Sequence, residues 1–474
     1  MNQLPAWKTY YIISFILILT PLTLHGQVDT ERQQELDKLM FSGRYFESKE
    51  LYKNLSETTT IPSDMDLFYK FRMAQFLNKT DSVTYYLEKF IPYYSENFGN
   101  QVLILYSILF DAYIELGDKD KVLATYQQMK RLWEETLSNI GEKEQEDWQT
   151  DFKNLLPYIE SVVNLPPVKM KRGRTSSMVD VKEELLPVFQ AKYNGVSHIS
   201  VFDTGVQPYC ALSKRLADEM GLRYDSIELN KVMINGSLAS IRSVIDSIEI
   251  GNITFYNIPA LIYQESESFP LVSGPLKKKR RRMKEAQFAV NSIRTWLAGR
   301  VALGLPIMKL IGKIQTDYEQ KIMCFPVSDT NAPLPKEANI YAYEGDLNMR
   351  MKLNGLDFMA KLDTGSDSYI TVDSAFYEKY QKEMPIGFTV KKNAGIAMMH
   401  QAKLIPYKSL KNPAIMFDDK LIQPPTIEAV KVYPVRPATR SNTLLDGVVG
   451  NGFYRSIGKK VLLDLDNMRL EAVQ

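Results

Sequence analysis

Apolar residues recur at helical spacing through residues 27–163, with few glycines or prolines to interrupt them. Three segments there repeat loosely: LMFSGRYFESKELYKNL, AQFLNKTDSVTYYLEKF and AYIELGDKDKVLATYQQM. Each has an apolar helix end, a turn at Gly43, Asn78 or Gly117, and a second helix with aromatic residues on one face. Their spacing is close to the ~34 residues of a tetratricopeptide-type helical hairpin. A tyrosine and phenylalanine stripe in such an array is read as packing, because stacked hairpins need a continuous apolar core. Residues 164–182, with paired prolines, glycine, serines and scattered charge, predict a linker. From residue 183 onward the pattern changes to short alternating runs such as HISVF, SIEIGNITF, NMRMKL and KKVLLDL, which predict β structure. The fold class expected is therefore α+β and multidomain, with helical hairpin repeats preceding an all-β half.

The β half repeats internally. YNGVSHISVFDTGVQPY carries Asp203, Thr204 and Gly205, and LNGLDFMAKLDTGSDSY carries Asp363, Thr364 and Gly365. Asn194-Gly195 and Asn354-Gly355 lie at one offset upstream, Tyr209 and Tyr369 at one offset downstream. Further on, Gly304 and Gly450 each follow two apolar residues, and Ile311-Gly312-Lys313 answers Ile457-Gly458-Lys459. Asp317 and Asp464 come next, out of step by one residue. Two lobes are predicted, 183–329 and 330–474. The first is longer, with an insert around 264–296 that contains the basic run Lys277 to Lys284. That run is read as a solvated loop.

Composition narrows the function classes. The chain has 474 residues, 45% hydrophobic and 24% charged, in the range of ordinary folded protein. A net charge of +2 gives no bulk attraction to nucleic acid or membrane. Lys8, the apolar run from Tyr10 to Leu19, and the small or polar residues through Gly26 predict a signal peptide over 1–26. The expected location is the periplasm or beyond the cell. Two cysteines and three histidines are too few for a convincing metal site or for a Ser-His-Asp or Cys-His group. Cys210 and Cys324 are read as small buried residues, with a disulfide as the alternative.

Paired apolar–apolar–Asp-Thr-Gly segments, each with a hairpin and an apolar–apolar–Gly strand downstream, resemble the retropepsin-like and pepsin-like aspartic proteases. The resemblance covers 183–474 and is closest to short bacterial enzymes of retropepsin type, here two lobes in one chain around an interlobe cleft. It implies an exported aspartic endopeptidase with Asp203 and Asp363 as the catalytic pair and a polypeptide substrate. Two carboxylates in contact cannot both ionise, so they share a proton. The ionised one takes a proton from water, and the protonated one polarises the scissile carbonyl. No metal or cofactor is required. By the same resemblance Thr204 and Thr364 hydrogen-bond across the lobes. Gly205 and Gly365 bring backbone N–H groups to the carboxylates. Gly304 and Gly450 lie on strands crossing beside the active loops, where a side chain would collide. Ser366 is expected to donate towards Asp363, a hydroxyl that Val206 does not supply to Asp203.

Gly236 and Gly395 mark candidate flap turns, with Tyr407 as the candidate flap tyrosine and His400 read as a surface residue. The rival from another class is an inactive peptide-binding scaffold using the same cleft and the helical repeats. Both aspartates are present, which favours the enzyme. A monomer suffices, and the helical domain is a candidate surface for a protein partner.

Overall fold

The structure, a computed structural model, describes residues 30–98, 102–139, 159–160, 162–183, 186–224, 229–233, 236–263, 295–296, 298–327, 336–398, 401–426, 429–433 and 445–473. The signal-peptide segment, the basic run Lys277 to Lys284 and His400 lie outside the described residues. The chain divides into two compact units. One holds the described residues up to Lys169 together with Tyr341–Glu344; the other holds the rest.

In the first unit the long helices are Thr30–Phe41, Tyr45–Thr58, Ser63–Phe76, Thr80–Phe98, Val102–Leu116 and Lys119–Asn139. Gly43, Asn78 and Gly117 fall between successive helices and take φ of 70°, 55° and 70°. That left-handed conformation suits glycine and is tolerated by asparagine, so the chain can reverse there without strain. Leu36, Met40, Leu55, Phe71, Leu87 and Phe110 form the core.

Four residues from far downstream complete this unit. Tyr341 stacks on Tyr45 with ring centroids 5.5 Å apart and meets Phe46 and Phe76 edge-on. The Tyr343 hydroxyl donates to the Phe41 carbonyl at 2.7 Å, and the Arg72 guanidinium lies over its ring. The internal repeat predicts a second lobe over all of 330–474, whereas Tyr341–Glu344 belong to the helical unit. An aromatic run such as Ile340–Tyr343 reads as an ordinary strand, and only tertiary packing shows which rings it meets.

In the second unit two sheets repeat one pattern. Strand Val196–Asp203 is paired in parallel with Val301–Gly304, which also pairs antiparallel with Cys210–Ser213. Leu356–Asp363 is paired in parallel with Gly447–Gly450, which pairs antiparallel with Ile370–Val372. Short helices come at matching places. Lys214–Glu219 is capped by the Ser213 side chain, Ser374–Lys379 by the Asp373 side chain.

A five-stranded antiparallel sheet draws on both repeats, in the order Ser177–Asp180, Ile322–Phe325, Lys313–Asp317, Lys460–Asp464 and Arg469–Val473. At its centre Lys313 stands opposite Asp464 and Lys460 opposite Asp317. The pairing is self-complementary: Lys313–Asp464 spans 3.5 Å and Lys460–Asp317 3.7 Å.

The 164–182 segment is not a free linker. It contains strands Lys169–Arg172 and Ser177–Asp180, the second paired with Ile322–Phe325. Ser177 and Val181 are buried while Met178 and Asp180 are exposed, a two-residue alternation too short to stand out among prolines and charges.

Candidate active site

Each Asp-Thr-Gly sits where its strand ends. The Asn-Gly turns that launch these strands have φ of 48° and 85° at Asn194-Gly195, and 52° and 82° at Asn354-Gly355. Positive φ at both positions is the two-residue hairpin turn that matches strand twist. The strands launched there deliver Asp203 opposite Gly304 and Asp363 opposite Gly450 in parallel register. Gly304 N–H donates to the Tyr209 carbonyl at 3.0 Å and Gly450 N–H to the Tyr369 carbonyl at 3.1 Å. A Cβ on Gly304 would collide with the Pro208 and Val206 carbonyls; on Gly450 it would meet the Ser368 and Ser366 carbonyls. Neither position has room for a side chain.

Thr204 and Thr364 bind the two loops together. The Thr204 hydroxyl donates to the Leu362 carbonyl at 2.7 Å and accepts from Thr364 N–H at 3.0 Å. The Thr364 hydroxyl donates to the Phe202 carbonyl at 3.0 Å and accepts from Thr204 N–H at 3.0 Å. Four reciprocal bonds are made, and Thr204 is fully buried.

This clasp brings the carboxylates together. Gly205 N–H donates to Asp203 Oδ1 at 2.8 Å, and Gly365 N–H to Asp363 Oδ1 at 3.1 Å. A Cβ on Gly205 would lie 2.9 Å from Asp363 Oδ1 and 3.0 Å from Asp203 Oδ1. On Gly365 it would fall on the Asp203 carboxyl. Burial pushes the Asp203 carboxyl up from 3.8 to about 7, and the neighbouring Asp363 carboxylate adds to the rise. The Gly205 N–H and the Lys361 ammonium oppose it, while a side-chain hydrogen bond with Asp363 reinforces it. The arrangement is two adjacent carboxyl groups, of which Asp203 is the one whose proton is held more tightly.

Ser366 departs from expectation. Its hydroxyl pairs with the Ser368 hydroxyl at 2.8 Å and accepts from Ser368 N–H at 3.3 Å. It is committed to its own loop rather than to Asp363, because the turn bringing Gly450 against residues 366 and 368 also brings those two hydroxyls together. Val206 is buried with Leu186, Val188 and Val201. Burial and the second carboxylate, not a serine donor, distinguish Asp203.

Cys210 and Cys324 are free thiols, Cys210 fully buried. Burial raises the Cys210 thiol far above its ordinary range, so it behaves as a core residue. Among the described residues no group of His, Cys, Asp and Glu could hold a metal ion.

In the candidate flaps, Gly236 opens strand Gly236–Ile250, which pairs with Leu229–Met233. The second hairpin pairs Ile386–Met398 with Gln401–Leu410; Gly395 lies within it opposite Leu404, not at its turn. A register shift lies between Val390 and Ala394, and pairing continues past Gly395 to Met398 opposite Gln401. Tyr407 is buried against Tyr433, ring centroids 5.9 Å apart, and so packs the hairpin base.

Sequence reasoning passed over Lys361, Asp346 and Asn348. Lys361 lies in the Asp363 strand, and its Nζ reaches Asp346 Oδ1 at 2.8 Å with both side chains 7% exposed. The available signal was a lysine inside the apolar stretch FMAKLDTG.

Residues 189–276 match the family model described as aspartyl protease. The matched stretch contains the first Asp-Thr-Gly. Among solved structures, the chain resembles the crystal structure of a retropepsin-like aspartic protease from Rickettsia conorii. Identity is 14%, the match covers 33% of this chain and 92% of that one, and the TM-score is 0.20. No curated protein matches. The family match and the paired Asp-Thr-Gly loops together support an aspartic peptidase.

Proposed function

We propose that this chain is an aspartic endopeptidase whose two Asp-Thr-Gly lobes form one active site. The observation that carries the reading is the reciprocal threonine clasp, which sets Asp203 and Asp363 side by side with one backbone N–H on each. Asp203 holds the shared proton, and Asp363 takes a proton from the attacking water. Water adds to the scissile carbonyl while Asp203 donates to its oxygen, giving a tetrahedral diol. Collapse of the diol returns a proton to the leaving amine and restores the pair. Thr204, Gly205, Thr364, Gly365, Gly304 and Gly450 support the geometry. Ser366 does so by bracing its loop through Ser368.

The chain is further read as an exported monomer. Its signal peptide spans 1–26, and tetratricopeptide-like hairpins over 27–163 present a surface to substrate or a protein partner. The test is digestion of a peptide library by the purified protein with inhibitors present. Internal cleavage should survive a chelator and serine- and cysteine-directed reagents. Cleavage that stops with the chelator would overturn the mechanism.

A further inference from the structure

Lys361 precedes Asp363 by two residues in one strand, so the two-residue period puts both on one face. Asn348 stands directly across from Lys361, and Asp346 shares its face two residues earlier. The Lys361–Asp346 pair is buried, as is Asn348, whose Oδ1 has no hydrogen-bond partner among the described residues.

The other repeat has a different chemistry at the same register. There Val188 stands across from Val201, which precedes Asp203 by two residues. Both belong to an apolar cluster with Leu186. One aspartate is therefore flanked on its face by Leu186, Val188 and Val201, the other by Asp346, Asn348 and Lys361. Burying a lysine and an aspartate costs desolvation that their mutual attraction often fails to recover. The other repeat builds the equivalent strand pair with apolar residues at these positions. What the charges add is a cation within electrostatic reach of the dyad, acting on Asp203 against its neighbour's negative charge.

We propose that Lys361 is a positioning residue for the dyad: anchored by Asp346, its ammonium limits the two aspartates to one shared proton. This role rests on the aspartic-peptidase reading of the same site. Without the ammonium, two adjacent carboxyls in a buried site would both protonate more readily, and neither would then accept a proton from water. Asp346 balances the ammonium so that the pair does not ionise fully. On the same two strands Arg350 shares the face of Asp346 and Asn348, and the exposed Asp357 shares the face of Lys361; the neighbouring elements add little. Strands Val301–Gly304 and Gly447–Gly450 carry none, the first active loop carries none, and the second carries only the exposed Asp367.

The test is the pH profile of cleavage in Lys361→Met, Asp346→Asn and the double variant Lys361→Met/Asp346→Leu. Lys361→Met leaves Asp346 as a third negative charge, so the alkaline limb should rise by about one pH unit. Asp346→Asn leaves the ammonium unbalanced, so the limb should fall. The double variant orphans no charge and should shift upward by less than the single lysine change. Lys361→Arg should restore the original profile. Opposite shifts are not expected from residues that only support packing. Unmoved limbs in Asp346→Asn and the double variant would overturn the inference, even if Lys361→Met failed to fold. If the protein cleaves no peptide, the peptidase reading fails separately. The dyad's titration is then followed by carbon-13 NMR of aspartate-labelled protein. The same opposite shifts support the charge role of Lys361, and unchanged titrations refute it.

Discussion

In the proposed mechanism Asp203 carries the proton that the pair shares, and its environment gives that proton a pH range. With its carboxyl held at about 7, the proton stays bound below that pH and is lost above it. Cleavage should therefore decline as pH rises through about 7, which a pH–rate profile measures. The same shift affects stability. A carboxyl raised above its unfolded value favours the folded state fully below pH 3.8, and that contribution is lost as pH climbs to about 7. Asp203→Asn should therefore melt higher than the native protein at pH 8, with the gap closing below about pH 4; thermal melts across that range check it. The aspartates and their threonines and glycines were legible in the sequence because short motifs impose local geometry. The Ser366 partner was not, because the turn that offers Ser368 instead of Asp363 is set by the crossing strand. Lys361 was invisible as a partner of Asp346 for a similar reason, since a strand pattern does not disclose cross-strand register.

Elements make the clasp. Thr204→Val would leave the Leu362 carbonyl and Thr364 N–H without partners in a buried place. Orphaned buried groups cost about 1–3 kcal/mol each, so urea unfolding of the β unit should register a loss of about 2–6 kcal/mol. Thr204→Ser, which keeps the hydroxyl, should retain most of it. In the helical unit the decisive element comes from outside its own sequence. Tyr341→Ala removes a ring packed among Tyr45, Phe46 and Phe76 and should destabilise the helices by about 3–5 kcal/mol, read from thermal loss of helical circular dichroism. Turns at Gly43, Asn78 and Gly117 could be read in advance because left-handed backbone restricts residue choice. The strands within 164–182 and the place of Tyr341–Glu344 could not, since they depend on partners distant in sequence.

At the scale of the molecule, both Asp-Thr-Gly loops and the sheet joining their repeats come from one chain. Specific activity should be independent of protein concentration; a rate that rises with the square of concentration would point to pairing between chains. The most direct test of the dyad is cleavage of a peptide library by the native protein beside Asp203→Asn and Asp363→Asn, each verified as folded. The account predicts internal cleavage by the native protein and a loss of about 10³-fold or more in each variant. Cleavage that persists at near-native rates in either variant would contradict it.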